Sequence, residues 1–157
     1  RSAAAARRHE PGAPERIFRV NVLGAYLCAR EAARRLSTDR GGRGGSIVLI
    51  SSAAARLGSP NEYVDYAGSK GAVDTLTLGL AKELGPHGVR VNGIRPGIID
   101  TEIHASGGRP EKPATMGPGA PLGRAGTAEE VGEAIVWLLD DVSSYVTAAL
   151  LAVAGGR

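Results

Sequence analysis

The sequence predicts an α/β fold with a doubly wound parallel sheet covered by helices on both faces. Three observations predict it. Segments with helical spacing alternate with short β-branched runs. Those runs, SIVLIS and VRVNGI, are apolar on both faces, as parallel strands buried between helix layers are. Gly and Pro punctuate the joints between them. With 157 residues, 43% of them hydrophobic, the chain is large enough for one unit with a real core, and it shows no internal repeat and no second domain.

The elements follow in order. Residues 1–13, rich in Ala and Arg, carry no apolar pattern and are expected to be poorly ordered. Over 14–36 the spacing is helical, with Ile17, Asn21, Gly24 and Cys28 on one stripe flanked by Val20 and Leu27. The Gly-rich stretch 38–45 is a loop, and 46–51 is a buried strand. A loop with a turn at Ser59-Pro60 leads to a second long helix over 63–84. Its apolar face is Val73, Leu76, Leu80 and Leu84, and Gly85-Pro86 ends it. A strand over 89–94 stops at Arg95-Pro96-Gly97. Residues 101–126, rich in Gly and Pro, form a long mobile connection, the expected substrate lid. Thr127 and Glu130 make a capping box opening a third helix, whose buried face is Val131, Ala134, Ile135, Leu138 and Leu139. Residues 148–154 form the last strand. Successive parallel strands joined by helices require right-handed crossovers.

Composition excludes several functions. A net charge of +3 with only 4% aromatic residues offers neither a strong basic footprint nor a stacking platform, so nucleic acid is not an expected partner. No apolar run reaches bilayer length, no secretory leader is legible, and a cytoplasmic location is expected. The single cysteine, Cys28, rules out an internal disulfide and reads as a small buried hydrophobe. His9, His87 and His104 are dispersed, and no metal site is expected.

The chemical signal is Tyr66-Ala-Gly-Ser-Lys70. Residues i and i+4 share a helix face, so phenol and ammonium can point into one site. A free tyrosine has a pKa near 10, and a neighbouring ammonium favours the phenolate and lowers it. Such a tyrosine can exchange a proton with a hydroxyl or carbonyl. Ser52 lies at the carboxyl end of the preceding strand, and Pro96 to Thr101 at that of the next, which is where parallel sheets bind ligands. Ser51 competes with Ser52, but the spacing to Tyr66 favours Ser52. Tyr63 has Ala67 at i+4, so it lacks an ammonium partner and is expected to line the substrate side. Glu102 and His104 are expected to be solvent-exposed. Gly24 and Gly71 are expected to permit close helix packing. A Ser-Lys hydrolase built on Ser52 and Lys70 would lack a nucleophile elbow and leave the tyrosine without a role.

Taken together, VNVLGAYLCAREA, GSIVLISSAAARLG, YAGSKGAVDTLTLGLAKELGPHGVRVNGIRPGIIDTEIH and the closing AGG resemble the short-chain dehydrogenase/reductase family from about Ile17 onward. Among its members they look most like bacterial 3-oxoacyl-carrier-protein reductases and glucose-dehydrogenase-like enzymes. The resemblance implies an oxidoreductase with a Rossmann-like fold that moves a hydride between NAD or NADP and a carbonyl or secondary alcohol. It implies Tyr66 as acid/base, Lys70 as the group that tunes Tyr66 and holds the nicotinamide ribose, and Ser52 as the group that orients the substrate oxygen. It implies that Asn21 fixes a water linked to Lys70. Pro96, Gly97, Ile99 and Thr101 would line the nicotinamide. A homo-oligomer, dimer or tetramer, is the expected assembly.

The family's opening strand, Gly-rich turn and helix, which receive the pyrophosphate, are not in this sequence. About 90 residues of sheet are expected to be missing, at roughly 30 residues per strand-helix-strand step. The Rossmann-like sheet is therefore expected to be incomplete, with most of the adenosine and pyrophosphate contacts absent. The alternative to an enzyme is a non-catalytic remnant that acts only through oligomer surfaces.

Overall fold

The computed structural model describes residues 12–157. The expectation of poor order over 1–13 therefore lies outside the described residues, except at its end, where Ala13 opens the first helix and is buried.

Helix α1 (Ala13–Phe18) runs through a π-helical turn (Arg19–Leu23) into α2 (Gly24–Leu36). Strand β1 (Gly45–Ile50) is followed by a single turn, α3 (Ala54–Leu57), and the long α4 (Val64–Leu84). Strand β2 (Val89–Pro96) leads to α5 (Ile103–Ser106) and α6 (Lys112–Met116), then α7 (Ala128–Leu139) and β3 (Leu150–Val153). The strands are parallel in the order β1-β2-β3, with Ile47 opposite Val91 and Ile94 opposite Leu151. The expected α/β alternation is thus present.

Alternate residues of the strands face opposite helix layers. Ile47, Leu49, Val89 and Val91 pack with Val73, Leu76 and Leu84 of α4 in the main core. Leu80, expected on the same face, is only partly buried against it. Gly93 points toward this layer, where an added Cβ would lie 2.7 Å from Leu150 and 3.3 Å from Thr77. On the other face, Ser46 Oγ donates to the Leu138 carbonyl at 2.9 Å. Arg90 Nη1 and Nη2 donate to the Leu138 and Asp140 carbonyls at 2.9 and 3.0 Å, closing the C-terminal end of α7 with a cation. Asn92, fully buried, donates to the Val146 carbonyl and accepts from the Ala149 amide, which fixes the entry into β3.

The first helix departs from its expected face. Cys28 is exposed, as are Val20 and Leu27 at 66% and 54%. Ala29 is buried, and Ala25, Ala32, Ala33 and Leu36 pack on the core. The π-helical turn is the reason. It inserts one residue into the helical repeat, so the inward-facing series advances 17, 21, 25, 29 in steps of four, partly buried at the first three and buried at Ala29. A regular 3.6-residue period had placed Gly24 and Cys28 there instead. Gly24 and Gly71 do not mediate tight helix contacts: a Cβ at Gly24 would meet only its own helix's Arg19 carbonyl at 3.8 Å, and one at Gly71 would meet nothing within 4 Å.

The capping box is formed. Thr127 accepts from the Glu130 amide at 3.3 Å, and Glu130 accepts from the Thr127 amide at 2.8 Å. Arg124 pairs with Glu130, and together these contacts hold that carboxyl down at about 2. Leu138 is fully buried, whereas Leu139, expected beside it, is 46% exposed. Thr127→Ala is expected to cost about 1 kcal/mol, the usual value of an N-cap hydroxyl. Urea denaturation measures it, and an unchanged midpoint would contradict the assignment.

Candidate active site

The site is built where β1 and β2 end. Their ladder continues one step past the strands: the Ser51 amide donates to the Ile94 carbonyl and the Ala53 amide to the Pro96 carbonyl. This holds Ser51 and Ser52 in an extended pair whose side chains point to opposite sides. Ser51 is buried and its hydroxyl donates to the Lys70 carbonyl at 3.1 Å. Ser52 faces a cavity of about 310 Å³ that Tyr66 also lines. Of the two serines, Ser52 is the one that lines the cavity, and Ser51 staples the strand to α4. Ser52 Oγ also accepts from the Ala54 amide at 3.1 Å, which starts α3 and fixes the hydroxyl's place.

Tyr66 sits near the start of α4, its amide held by the Asp65 carboxylate at 2.8 Å. Burial pushes its phenol pKa above the ordinary 10, and a hydrogen bond with Ser52 pulls it partly back. The sequence led to the opposite direction, because Lys70 was expected to lower it. The reason lies in where the ammonium goes. Lys70 Nζ donates to the Ile50 carbonyl at 2.8 Å and stands 5.7 Å from the centre of the Tyr66 ring. It is turned toward the strand end. Burial also pushes Lys70 below its ordinary value, while Asp74, one helical turn further along, pulls it back up. At neutral pH the phenol is neutral and can donate a proton.

Asn21 stands in the π-helical turn and donates to Ser69 Oγ at 3.0 Å. Ser69, fully buried, in turn donates to the Tyr66 carbonyl at 2.7 Å. Asn21 thus braces the turn of α4 that carries Tyr66. Ser69 was not singled out by sequence reasoning, although a serine one turn after the tyrosine was there to be read.

Pro96 and Gly97 line the cavity. Gly97 has a packing reason as well, since a Cβ there would fall 2.7 Å from the Ala154 Cα. Ile99 and Thr101 do not line this cavity. Ile99 lies in a neighbouring hollow and bridges to Gly126, where the Asp100 amide donates to the Gly126 carbonyl.

The expected lid carries two short helices, and Ile103, His104, Arg109, Lys112 and Met116 from it line the cavity. His104 is half-buried, not solvent-exposed as its loop context suggested. Its Nε2 lies 2.7 Å from the Ile99 carbonyl, which can only accept, so Nε2 carries the proton. Glu102 is exposed as expected. Tyr63 lines the cavity and stacks under Lys112 Nζ at 5.0 Å. Among the described residues no cluster of His, Cys, Asp or Glu could hold a metal. No helix among them is long and apolar enough to cross a membrane.

Comparison with known proteins gives one consistent result. The family model described as enoyl-(acyl carrier protein) reductase matches residues 6–157. The chain is 55% identical over 142 residues to the uncharacterized oxidoreductase YgfF of Escherichia coli, covering 90% of this chain and 58% of that protein. It is 42% identical to an L-rhamnose 1-dehydrogenase (NAD(P)(+)) of a Sphingomonas species, covering 90% of this chain and 55% of that protein. A solved short-chain type dehydrogenase/reductase from Mycobacterium ulcerans superposes with a TM-score of 0.82 at 38% identity, covering 94% of this chain and 52% of that chain. The chain spans about half the length of the relatives it matches, and its three parallel strands are part of their Rossmann-like sheet. The chain belongs to the short-chain dehydrogenase/reductase family and covers roughly the C-terminal half of its fold.

Proposed function

We propose that this chain supplies the catalytic half of an oxidoreductase that uses NAD or NADP to interconvert a carbonyl compound and a secondary alcohol. One observation carries the reading: Ser52 and Tyr66 line the same cavity at the strand ends. Ser52 holds the substrate oxygen, and Tyr66 gives it a proton as it becomes a hydroxyl or takes the proton back in the reverse direction. Asn21 acts through Ser69 to fix the turn carrying Tyr66, and it also anchors the water linked to Lys70.

The residues present fit the nicotinamide end of a dinucleotide. Lys70 has three N–H donors, of which the Ile50 carbonyl takes one, leaving the ammonium suited to ribose hydroxyls. Tyr66, Pro96 and Gly97 line the cavity for that contact, and the proposal extends it to Ile99 and Thr101, which stand outside the cavity wall. No glycine-rich strand-to-helix turn for the pyrophosphate stands among the described residues. When bound, the nicotinamide supplies the hydride chemistry, and the protein supplies position and electrostatics. A homo-oligomer belongs to the same proposal, supported by exposed Leu23 at the end of the π-helical turn and exposed Tyr26 and Leu27 on α2.

The test joins this chain to the dinucleotide-binding half of a full-length relative and follows oxidation of reduced nicotinamide by small ketones and aldehydes. Carbonyl-dependent turnover is expected. A folded chimera that binds the dinucleotide but never turns over would favour the non-catalytic alternative. The phenol itself can be tested in the chain alone. Tyr66, followed by its ring-carbon NMR signal, is expected to titrate above 10. Ser52→Ala is expected to raise it further, because the hydrogen bond it removes favours the phenolate. A midpoint below 10 would contradict the burial argument.

A further inference from the structure

The stretch 101–126 leaves the end of β2 and returns at Thr127, and its two roots are fixed through backbone groups. His104 Nε2 donates to the Ile99 carbonyl at 2.7 Å. The Gly126 amide donates to the Ile98 carbonyl, and its carbonyl accepts from the Asp100 amide. The far part, α6, is held differently. Lys112 Nζ donates to Glu62 Oε2 at 3.0 Å and sits 5.0 Å from the centre of the Tyr63 ring. Arg109, paired with Glu111, stands 3.7 Å from the other Glu62 oxygen. One carboxylate, just before α4, thus receives two cations from the stretch after β2. Glu62, Tyr63, Arg109 and Lys112 all line the cavity that Ser52 and Tyr66 line, so the contact joins two segments that enclose it.

Three features set this contact apart from an ordinary surface ion pair. The Lys112 side chain is only 12% exposed, against 77% and 50% for Arg35 and Glu31 in the pair on α2. Attraction between charges counts for more where water is excluded. Pro113 is the one buried residue of α6, so little apolar packing holds that helix down. Glu62 is also presented by a costly turn. Ser59 and Asn61 are left-handed, with φ of 44° and 62°, and the Glu62 and Tyr63 amides both donate to the Ser59 carbonyl.

We infer that Glu62 is the catch of a lid: it holds α6 closed over the cavity through Lys112 and Arg109, and releasing it opens the cavity while the sheet stays folded. The inference goes beyond the oxidoreductase reading, because it concerns access to the cavity whatever reaction Ser52 and Tyr66 perform.

Amide hydrogen exchange on this chain tests it. The Lys112 and Thr115 amides, bonded to the Arg109 and Glu111 carbonyls, report on the lid, and the Gly93 amide, bonded to the Ala149 carbonyl, reports on the sheet. Glu62→Gln should speed exchange of the two lid amides about fivefold, the difference between a charge-assisted and a neutral hydrogen bond. Exchange at Gly93 should stay within about twofold, since the sheet does not open with the lid. Glu62→Lys should speed the lid amides further, and adding Lys112→Glu should recover most of that change. Glu31→Gln, in the exposed pair on α2, should alter neither region. Met116 is the only methionine in the chain and lines the cavity, so its methyl NMR signal reports access. Broadening of that signal by a dissolved nitroxide should grow in step with lid exchange. Lid exchange within about twofold of the parent in both Glu62 variants overturns the catch, being the level of a contact that holds nothing. Equal acceleration at Gly93 overturns it as well, since Glu62 would then support the whole fold. Failure of Lys112→Glu to recover the Glu62→Lys change overturns the pairing with Lys112. Faster lid exchange without greater broadening at Met116 overturns the link to the cavity.

Discussion

Tyr66→Phe is expected to lower carbonyl reduction by about 10²–10⁴-fold in the chimera that carries the dinucleotide-binding half, the range lost when a positioned general acid is removed. The substitution removes one oxygen and keeps the ring, which packs beside Lys70 Nζ at 5.7 Å. The loss should fall on kcat more than on KM, because the proton is needed as the carbonyl oxygen gains negative charge and not before. Ser52→Ala removes a donor to the same oxygen, and its loss should be about 10²–10³-fold, as for other donors aimed at developing charge. The two losses should not add, since both side chains line one cavity and Ser52 opposes the rise of the Tyr66 pKa. Steady-state kinetics on the two variants and the double variant checks this. A Tyr66→Phe enzyme within about threefold of the parent would remove Tyr66 from the chemistry, because no general acid contributes so little.

The parts of this site that were legible in the sequence are those set by local spacing. Tyr66 and Lys70 fall one turn apart on α4, and Ser52 follows a strand, because helix period and strand end are written in the chain itself. The capping box at Thr127 was legible for the same reason. What was hidden depends on neighbours distant in sequence. The π-helical turn that moves the buried face from Cys28 to Ala29 carries no compositional mark. The direction of the Tyr66 shift depends on how deeply the ring is buried and on the Ile50 carbonyl capturing Lys70, which lies 20 positions away. His104 looked solvated within a Gly- and Pro-rich stretch, and only the fold brings the Ile99 carbonyl to it.

Arg95→Met is expected to destabilise the protein by about 3–5 kcal/mol, the cost of leaving a buried charge without its partner. Asp74 stands on the inner face of α4 at 7% exposure. Arg95 reaches it from the end of β2, with Nη2 at 2.8 Å and Nε at 3.2 Å, both on Oδ2. Oδ1 is buried and has no partner at all, so removing the guanidinium strips the carboxylate of its compensation. Asp74→Leu combined with Arg95→Met should recover most of the loss, because replacing both charges by apolar groups is close to neutral. Urea denaturation of the single and double variants measures both effects, and an Arg95→Met cost below about 1 kcal/mol, the level of an exposed pair, would refute the assignment. The recovered double variant would still differ at the active site. Asp74 opposes the burial that depresses Lys70, so its removal should let the Lys70 pKa fall further below 10.5. The same buried pair therefore links the packing of α4 on β2 to the charge held beside Tyr66, and stability and Lys70 titration should separate cleanly in that variant.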